Sequence, residues 1–102
     1  MELQIKREAE RVVFYIRGDV DETGAEILED RFRELDLSGV GEAVFDFKEV
    51  PHIGSAGIGR LLLFYKDMAI NGGEIVVQNV PEPISELFEM VKLDSIFKIL
   101  KA

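Results

Sequence analysis

Between Val44 and Leu63 this chain has few ways to fold. Val44-Phe45-Asp46-Phe47 closes a short apolar run that starts at Glu42. Such a run reads as a central strand buried on both faces. Pro51 then blocks continued regular structure. His52-Ile53-Gly54-Ser55-Ala56-Gly57-Ile58-Gly59 follows, and a long apolar helix begins inside it and runs through Arg60-Leu61-Leu62-Leu63. Ser55 sits at the joint. Its hydroxyl reads first as a helix N-cap, accepting one of the orphan N–H groups of the first turn. The same place favours negative charge, through those N–H groups and the helix dipole. Flanked by Gly54, Ala56 and Gly57, Ser55 is also sterically open to another protein's active site. Local chemistry alone favours the plain cap over a phosphoacceptor.

The rest of the chain arranges itself around that joint. Leu3 to Glu8 alternates apolar and polar residues, the period of a half-buried strand, and Val12 to Arg17 is β-branched and aromatic. The short turn at Ala9-Glu10 makes the two a hairpin. From Glu22 to about Asp36, Ala25, Leu28, Phe32 and Leu35 form one helical stripe, with Asp21 or Thr23 as its cap. The second helix runs from Ser55 to Asn71. Its expected stripe is Ile58, Leu61, Leu62, Tyr65, Met68 and Ala69, widened by Leu63 and Phe64. Asn71-Gly72-Gly73 stops it. Glu74 to Gln78 is another buried strand. Pro81-Glu82-Pro83 opens a third helix with stripe Ile84, Leu87, Phe88 and Val91. Ile96 to Leu100 alternates as a last, edge strand. The order β-β-α-β-α-β-α-β implies an α/β fold, a mixed β-sheet with a parallel part and helices packed against it. Residues 1–102 are expected to form a single domain.

Composition excludes several functions. The formal net charge of −8 argues against nucleic acid and anionic membranes as partners, and no membrane insertion is expected. No apolar run approaches the roughly 18 residues of a membrane span. The chain has no Cys, so neither disulfides nor thiolate metal sites arise, and its start lacks the pattern of a signal peptide; the default location is the cytoplasm. His52 is the only histidine, which leaves little room for a metal site or a serine-histidine triad.

Three groups remain as carriers of chemistry. Ser55 is the first: a phosphate there adds roughly −1.5 to −2 charges at a helix N-terminus. The dipole tolerates that charge internally, while an interface built against the uncharged serine does not. Asp19, Asp21 and Glu22 are the second. They approach Ser55 if the loops after the second and third strands lie side by side, and would then hold a magnesium ion with a partner's nucleotide or orient the hydroxyl. The plainer reading is an acidic helix start. Asp46 is a weaker member of the set and bonds a neighbouring loop on the plain reading. His52 with Gly54 and Gly57 is the third. These glycines match no phosphate loop, no cofactor is expected, and Gly57 and Gly59 read as points of close approach by the sheet or by a docked partner.

At this point the residues resemble a known family. Val44-Phe45-Asp46-Phe47-Lys48-Glu49-Val50 followed by Ile53-Gly54-Ser55-Ala56-Gly57-Ile58-Gly59-Arg60-Leu61-Leu62 is similar to the STAS domain, most of all to stand-alone bacterial anti-sigma-factor antagonists. Gly18-Asp19-Val20-Asp21, Asn71-Gly72-Gly73 with the strand after it, and Pro83-Ile84-x-x-Leu87-Phe88 fit the same pattern. The resemblance implies a STAS-type mixed sheet and a non-enzymatic switch. It puts the phosphoacceptor on Ser55 and matches Asp21 and Asp46 to the family's acidic positions. It implies partner binding through Asp21, His52, Gly54, Ser55, Ala56, Gly57, Ile58 and Arg60. The partners implied are an anti-sigma factor of GHKL serine-kinase type, whose sigma factor is released, and a PP2C-type phosphatase. An unswitched STAS scaffold, or a module that binds a lipid or nucleotide on the apolar helix face near Leu63 and Phe64, is the alternative. Two positions depart from the pattern. Gly54 stands where the family has an aspartate, which removes a carboxylate beside the hydroxyl. Ala56 stands where it has a second hydroxyl, which leaves Ser55 as the sole acceptor in this stretch.

Overall fold

The computed structural model describes all 102 residues. The chain begins with a hairpin of β1 (Glu2–Glu8) and β2 (Arg11–Arg17), paired antiparallel from Glu2 opposite Arg17 to Glu8 opposite Arg11. Ala9 takes a positive φ of 54° in the turn. Three crossovers follow: α1 (Glu22–Glu34) to β3 (Glu42–Glu49), α2 (Ser55–Ile70) to β4 (Glu74–Val80), and α3 (Glu82–Met90) to β5 (Lys98–Lys101). The five strands lie in the order β1-β2-β3-β4-β5, parallel from β2 onward. The element order is the one the periodicities imply.

Because every crossover steps the same way along the sheet, and such crossovers are right-handed, all three helices fall on one face. The core records this. Leu28 of α1, Leu61, Phe64 and Met68 of α2, and Ile84 and Phe88 of α3 pack with Val12, Phe14, Phe45, Phe47, Ile75 and Val77, the alternate residues of the strands. Phe14 stacks on Phe45 with centroids 4.5 Å apart, Phe32 stacks on Phe64 at 4.2 Å, and the two pairs meet edge to face. This four-ring cluster ties α1 and α2 to the middle of the sheet.

The other sheet face carries no helix. Val13, Val44 and Val76 are nevertheless buried and form a small cluster of their own. They stand side by side across β2, β3 and β4, with Lys6 opposite Val13 and Lys98 opposite Val76. The strand β3 is thus central and buried on both faces, as expected, but on this side without a helix. On this side Val44 is flanked by Val13 and Val76 of the adjacent strands, and farther out Lys6 of β1 lies over Tyr15, its Nζ 5.7 Å from the ring centroid.

Two expectations about helices are corrected. The buried stripe of α2 is Gly57, Leu61, Phe64 and Met68, while Leu62 and Leu63 are 39% and 55% exposed and Ala69 faces out. In α3, Ile84, Ser85 and Phe88 are buried and Val91 is exposed, because the helix ends at Met90 and the chain turns away through Lys92, φ 61°. The last strand also starts later than expected. A turn of 3-10 helix at Leu93–Ser95 uses Leu93 and Phe97 as core residues before β5 begins at Lys98. No helix is long and apolar enough to cross a membrane.

Candidate functional site

The loops after β2 and β3 lie side by side. Val20 and Ile53 form an isolated parallel bridge just beyond the ends of the two strands. The Val20 N–H donates to the His52 carbonyl at 2.9 Å, and the Gly54 N–H donates to the Val20 carbonyl at 3.0 Å. Gly18 N–H donates to the Glu49 carbonyl at 2.9 Å one step earlier. The condition set for Asp19, Asp21 and Glu22 to approach the Ser55 stretch is therefore met by backbone geometry. Both residues are apolar and buried, as is Val50 at the start of the second loop, so the two loops share the edge of the core.

Ser55 is not the cap of α2. Gly54 holds that position, with φ −94° and ψ 177°, and no side chain caps the helix. Ser55 is the first helical residue and is exposed. The expectation of a serine cap fails by one residue: the helix begins at Ser55, and Gly54, also a common cap residue, precedes it. The first backbone bond of the helix runs from the Ile58 N–H to the Gly54 carbonyl at 3.1 Å. The N–H groups of Ser55, Ala56 and Gly57 precede it and have no carbonyl partner within the helix. An uncapped first turn thus carries an exposed hydroxyl.

The remaining candidate residues have varied places. His52 is exposed in the joint and Ile58 is partly buried against the core. Gly57 lies directly over the bridge: a Cβ there would stand 2.6 Å from Val20 Cγ1 and 3.0 Å from Ile53 Cγ1. Close approach explains Gly57. It does not explain Gly59, where a Cβ would meet nothing. Asp21 caps α1, its Oδ1 accepting from the Gly24 N–H at 2.8 Å. That is the plainer of the two readings of the acids after β2. No three carboxylate or histidine side chains converge on a metal site within the chain itself.

Arg60 reaches across to α1, where one guanidinium nitrogen lies 3.0 Å from Glu29 Oε2; Arg33 holds the other oxygen of the same carboxylate at 2.6 Å. Asp46 is tied down on the helix-free face. Its carboxylate accepts from the Lys48 N–H at 2.9 Å and from the amides of Gln78 and Asn79 at 3.0 Å each. These bonds hold the irregular end of β4, where Asn79 has φ 54°. A groove of about 310 Å³ between α1 and α2 escaped the sequence reading except for two of its residues. Phe32, Leu63 and Phe64 give it an apolar floor, and Glu29, Arg33 and Arg60 are among its charged walls.

Comparison with known proteins agrees with this architecture. A family model described as STAS domain matches residues 1–102. The fold is similar to that of the Bacillus cell fate determinant SpoIIAA in its phosphorylated form, at 18% identity and a TM-score of 0.76, covering 96% of this chain and 90% of that one. A candidate anti-sigma factor antagonist from Thermotoga maritima matches at 16% identity and a TM-score of 0.86, covering 98% and 86%. A sulfate transporter family protein from Wolinella succinogenes matches at 12% identity and a TM-score of 0.79, covering 91% and 78%. At these identities the structural likenesses establish the fold.

Proposed function

The chain belongs to the STAS domain family, and from that premise we propose that it is an anti-sigma-factor antagonist. It binds an anti-sigma factor of the GHKL serine-kinase type through Asp21, His52, Gly54, Ser55, Ala56, Gly57, Ile58 and Arg60, and so frees a sigma factor. The kinase then phosphorylates Ser55 and the complex dissociates. A PP2C-type phosphatase restores the binding form.

One observation carries this reading: Ser55 is exposed, caps nothing, and sits on a first turn held in place by the Val20–Ile53 bridge. In the transfer step Ser55 Oγ attacks the γ-phosphorus of ATP. The bond to ADP breaks, and the hydroxyl proton passes to a base. Gly54 has no carboxylate and the Asp21 carboxylate caps α1, so the kinase supplies that base. Afterwards the phosphate's roughly −1.5 to −2 charges face the N-terminal dipole of α2, which tolerates them. Across the docked interface they meet a surface fitted to a neutral hydroxyl, and binding weakens.

The test is to incubate the protein with ATP and native extract and to map phosphate by mass spectrometry. One phosphate on Ser55, absent from Ser55→Ala, supports the proposal; a chain that never acquires phosphate there contradicts it. The α1–α2 groove favours a second reading, an unswitched module that binds a small amphipathic ligand over Leu63, Phe32 and Phe64. A lipid or nucleotide retained through purification, seen by native mass spectrometry, would support that reading.

A further inference from the structure

The sheet has two free edges, and they are built differently. β5 is four residues long, carries Lys98 and Lys101, and has a register shift between Val77 and Val80 of its neighbour. Short length, lysines and irregularity are the devices that blunt an edge against further pairing. β1 has none of the last kind and none of the first. Its seven residues keep unbroken register with β2, contain no proline, and take no backbone hydrogen bond from any other element. The helix layer ends at α1, so Leu3 and Ile5 pack against the core yet stay only partly buried. On the opposite face, Glu2 and Lys6 are exposed and neither forms an ion pair within its own chain; Lys6 lies over the Tyr15 ring.

We propose that the free edge of β1 pairs antiparallel with β1 of a second copy of this chain, about a two-fold axis at Gln4. The register follows from charge. A two-fold axis normal to the sheet pairs residues whose numbers have a constant sum, and facing residues must share a sheet face, so the sum is even. With Gln4 on the axis, Glu2 stands opposite Lys6 of the second copy, Leu3 opposite Ile5, and both pairs occur twice. With Ile5 on the axis, Glu2 faces Glu8. With Lys6 or Arg7 on the axis, that cation faces itself. Only the Gln4 register joins opposite charges, joins apolar to apolar, and sets no like charges opposite each other, the arrangement cross-strand pairing favours. Antiparallel pairing also turns the two Ser55 ends away from each other, so this surface is separate from the one proposed for the anti-sigma factor.

The chain has no Cys, which makes the register directly readable. The expected results are a concentration-dependent dimer in sedimentation velocity and, on mild oxidation, an intermolecular disulfide in Gln4→Cys but not in Glu8→Cys. Lys6→Glu and Glu2→Lys each weaken dimerisation at least about tenfold, and the double swap restores it. Circular dichroism confirms that the exposed-site variants remain folded. A wild-type chain that stays monomeric at every concentration overturns the proposal. So does a double swap that fails to recover the dimer, or a Glu8→Cys disulfide that forms as readily as that of Gln4→Cys.

Discussion

Gly57 on α2 rests against Val20 on the neighbouring loop so closely that a Cβ on the glycine would stand 2.6 Å from Val20 Cγ1. Ile53 Cγ1 closes the other side at 3.0 Å. Gly57→Ala therefore forces the bridge apart and costs about 1–3 kcal/mol in urea unfolding, the range for overpacking. Gly59→Ala lies one half-turn away in open space and gains up to about 1 kcal/mol from helix propensity. The pair of substitutions, one chemistry with two signs, is the check.

Gly54→Asp places a capping carboxylate on a first turn that has none. Its extended backbone accepts an aspartate, and a Cβ there would come no closer than 3.9 Å to the Val20 carbonyl oxygen. The expected gain is about 0.5 kcal/mol, read as a higher denaturation midpoint. A loss of stability would mean that the first turn is not free.

Asp46→Ala leaves the amides of Gln78 and Asn79 and the Lys48 N–H without their common acceptor. Hydrogen bonds to a charged group contribute about 1.5–3 kcal/mol, and a partly exposed site recovers some of that from water. The expected cost is about 2 kcal/mol. Because Asp46 lies on the helix-free face, binding through the Ser55 end is expected to be unchanged once the variant is folded.

Phe45→Ala empties the middle of the four-ring cluster. Phe45 is fully buried and stacked on Phe14. A loss of about 3–5 kcal/mol is expected, a large share of the 5–15 kcal/mol typical of a domain.

Asp36 gives the pH dependence. The Ser38 N–H, donating to its carboxylate at 2.9 Å, holds its pKa below the ordinary aspartate value, with help from the Ser38 side chain and the Arg7 charge. A depressed folded-state pKa stabilises the fold above the unfolded value, and that contribution is lost as pH falls through the folded one. Asp36→Asn is therefore less stable than wild type at neutral pH, and the difference closes in acid. Urea titrations of both proteins, at neutral pH and in acid, read it.

The strands and their order were legible because each carries its own signal. Leu3 to Glu8 alternates, Val12 to Arg17 is β-branched and aromatic, and Asn71-Gly72-Gly73 marks a stop. The face of α2 was not legible, since Leu61, Leu62, Leu63 and Phe64 are consecutive apolar residues and define no single stripe. The shift of the cap from Ser55 to Gly54 turns on one residue, and both types are acceptable caps. That Asp46 bonds a neighbouring segment was legible, but its partners Gln78 and Asn79, like the α1–α2 groove, join residues far apart in sequence, which no local pattern encodes. The Val20–Ile53 bridge stood in the sequence only as a condition on two loops.

On the proposed function, the charge state of Ser55 controls binding of a kinase. The most direct measurement is a paired pull-down from native extract with wild type and Ser55→Asp as baits, read by mass spectrometry. A GHKL-type kinase captured by wild type and lost with Ser55→Asp is the expected result. The same partners on both baits, or no kinase of that class on either, would contradict it.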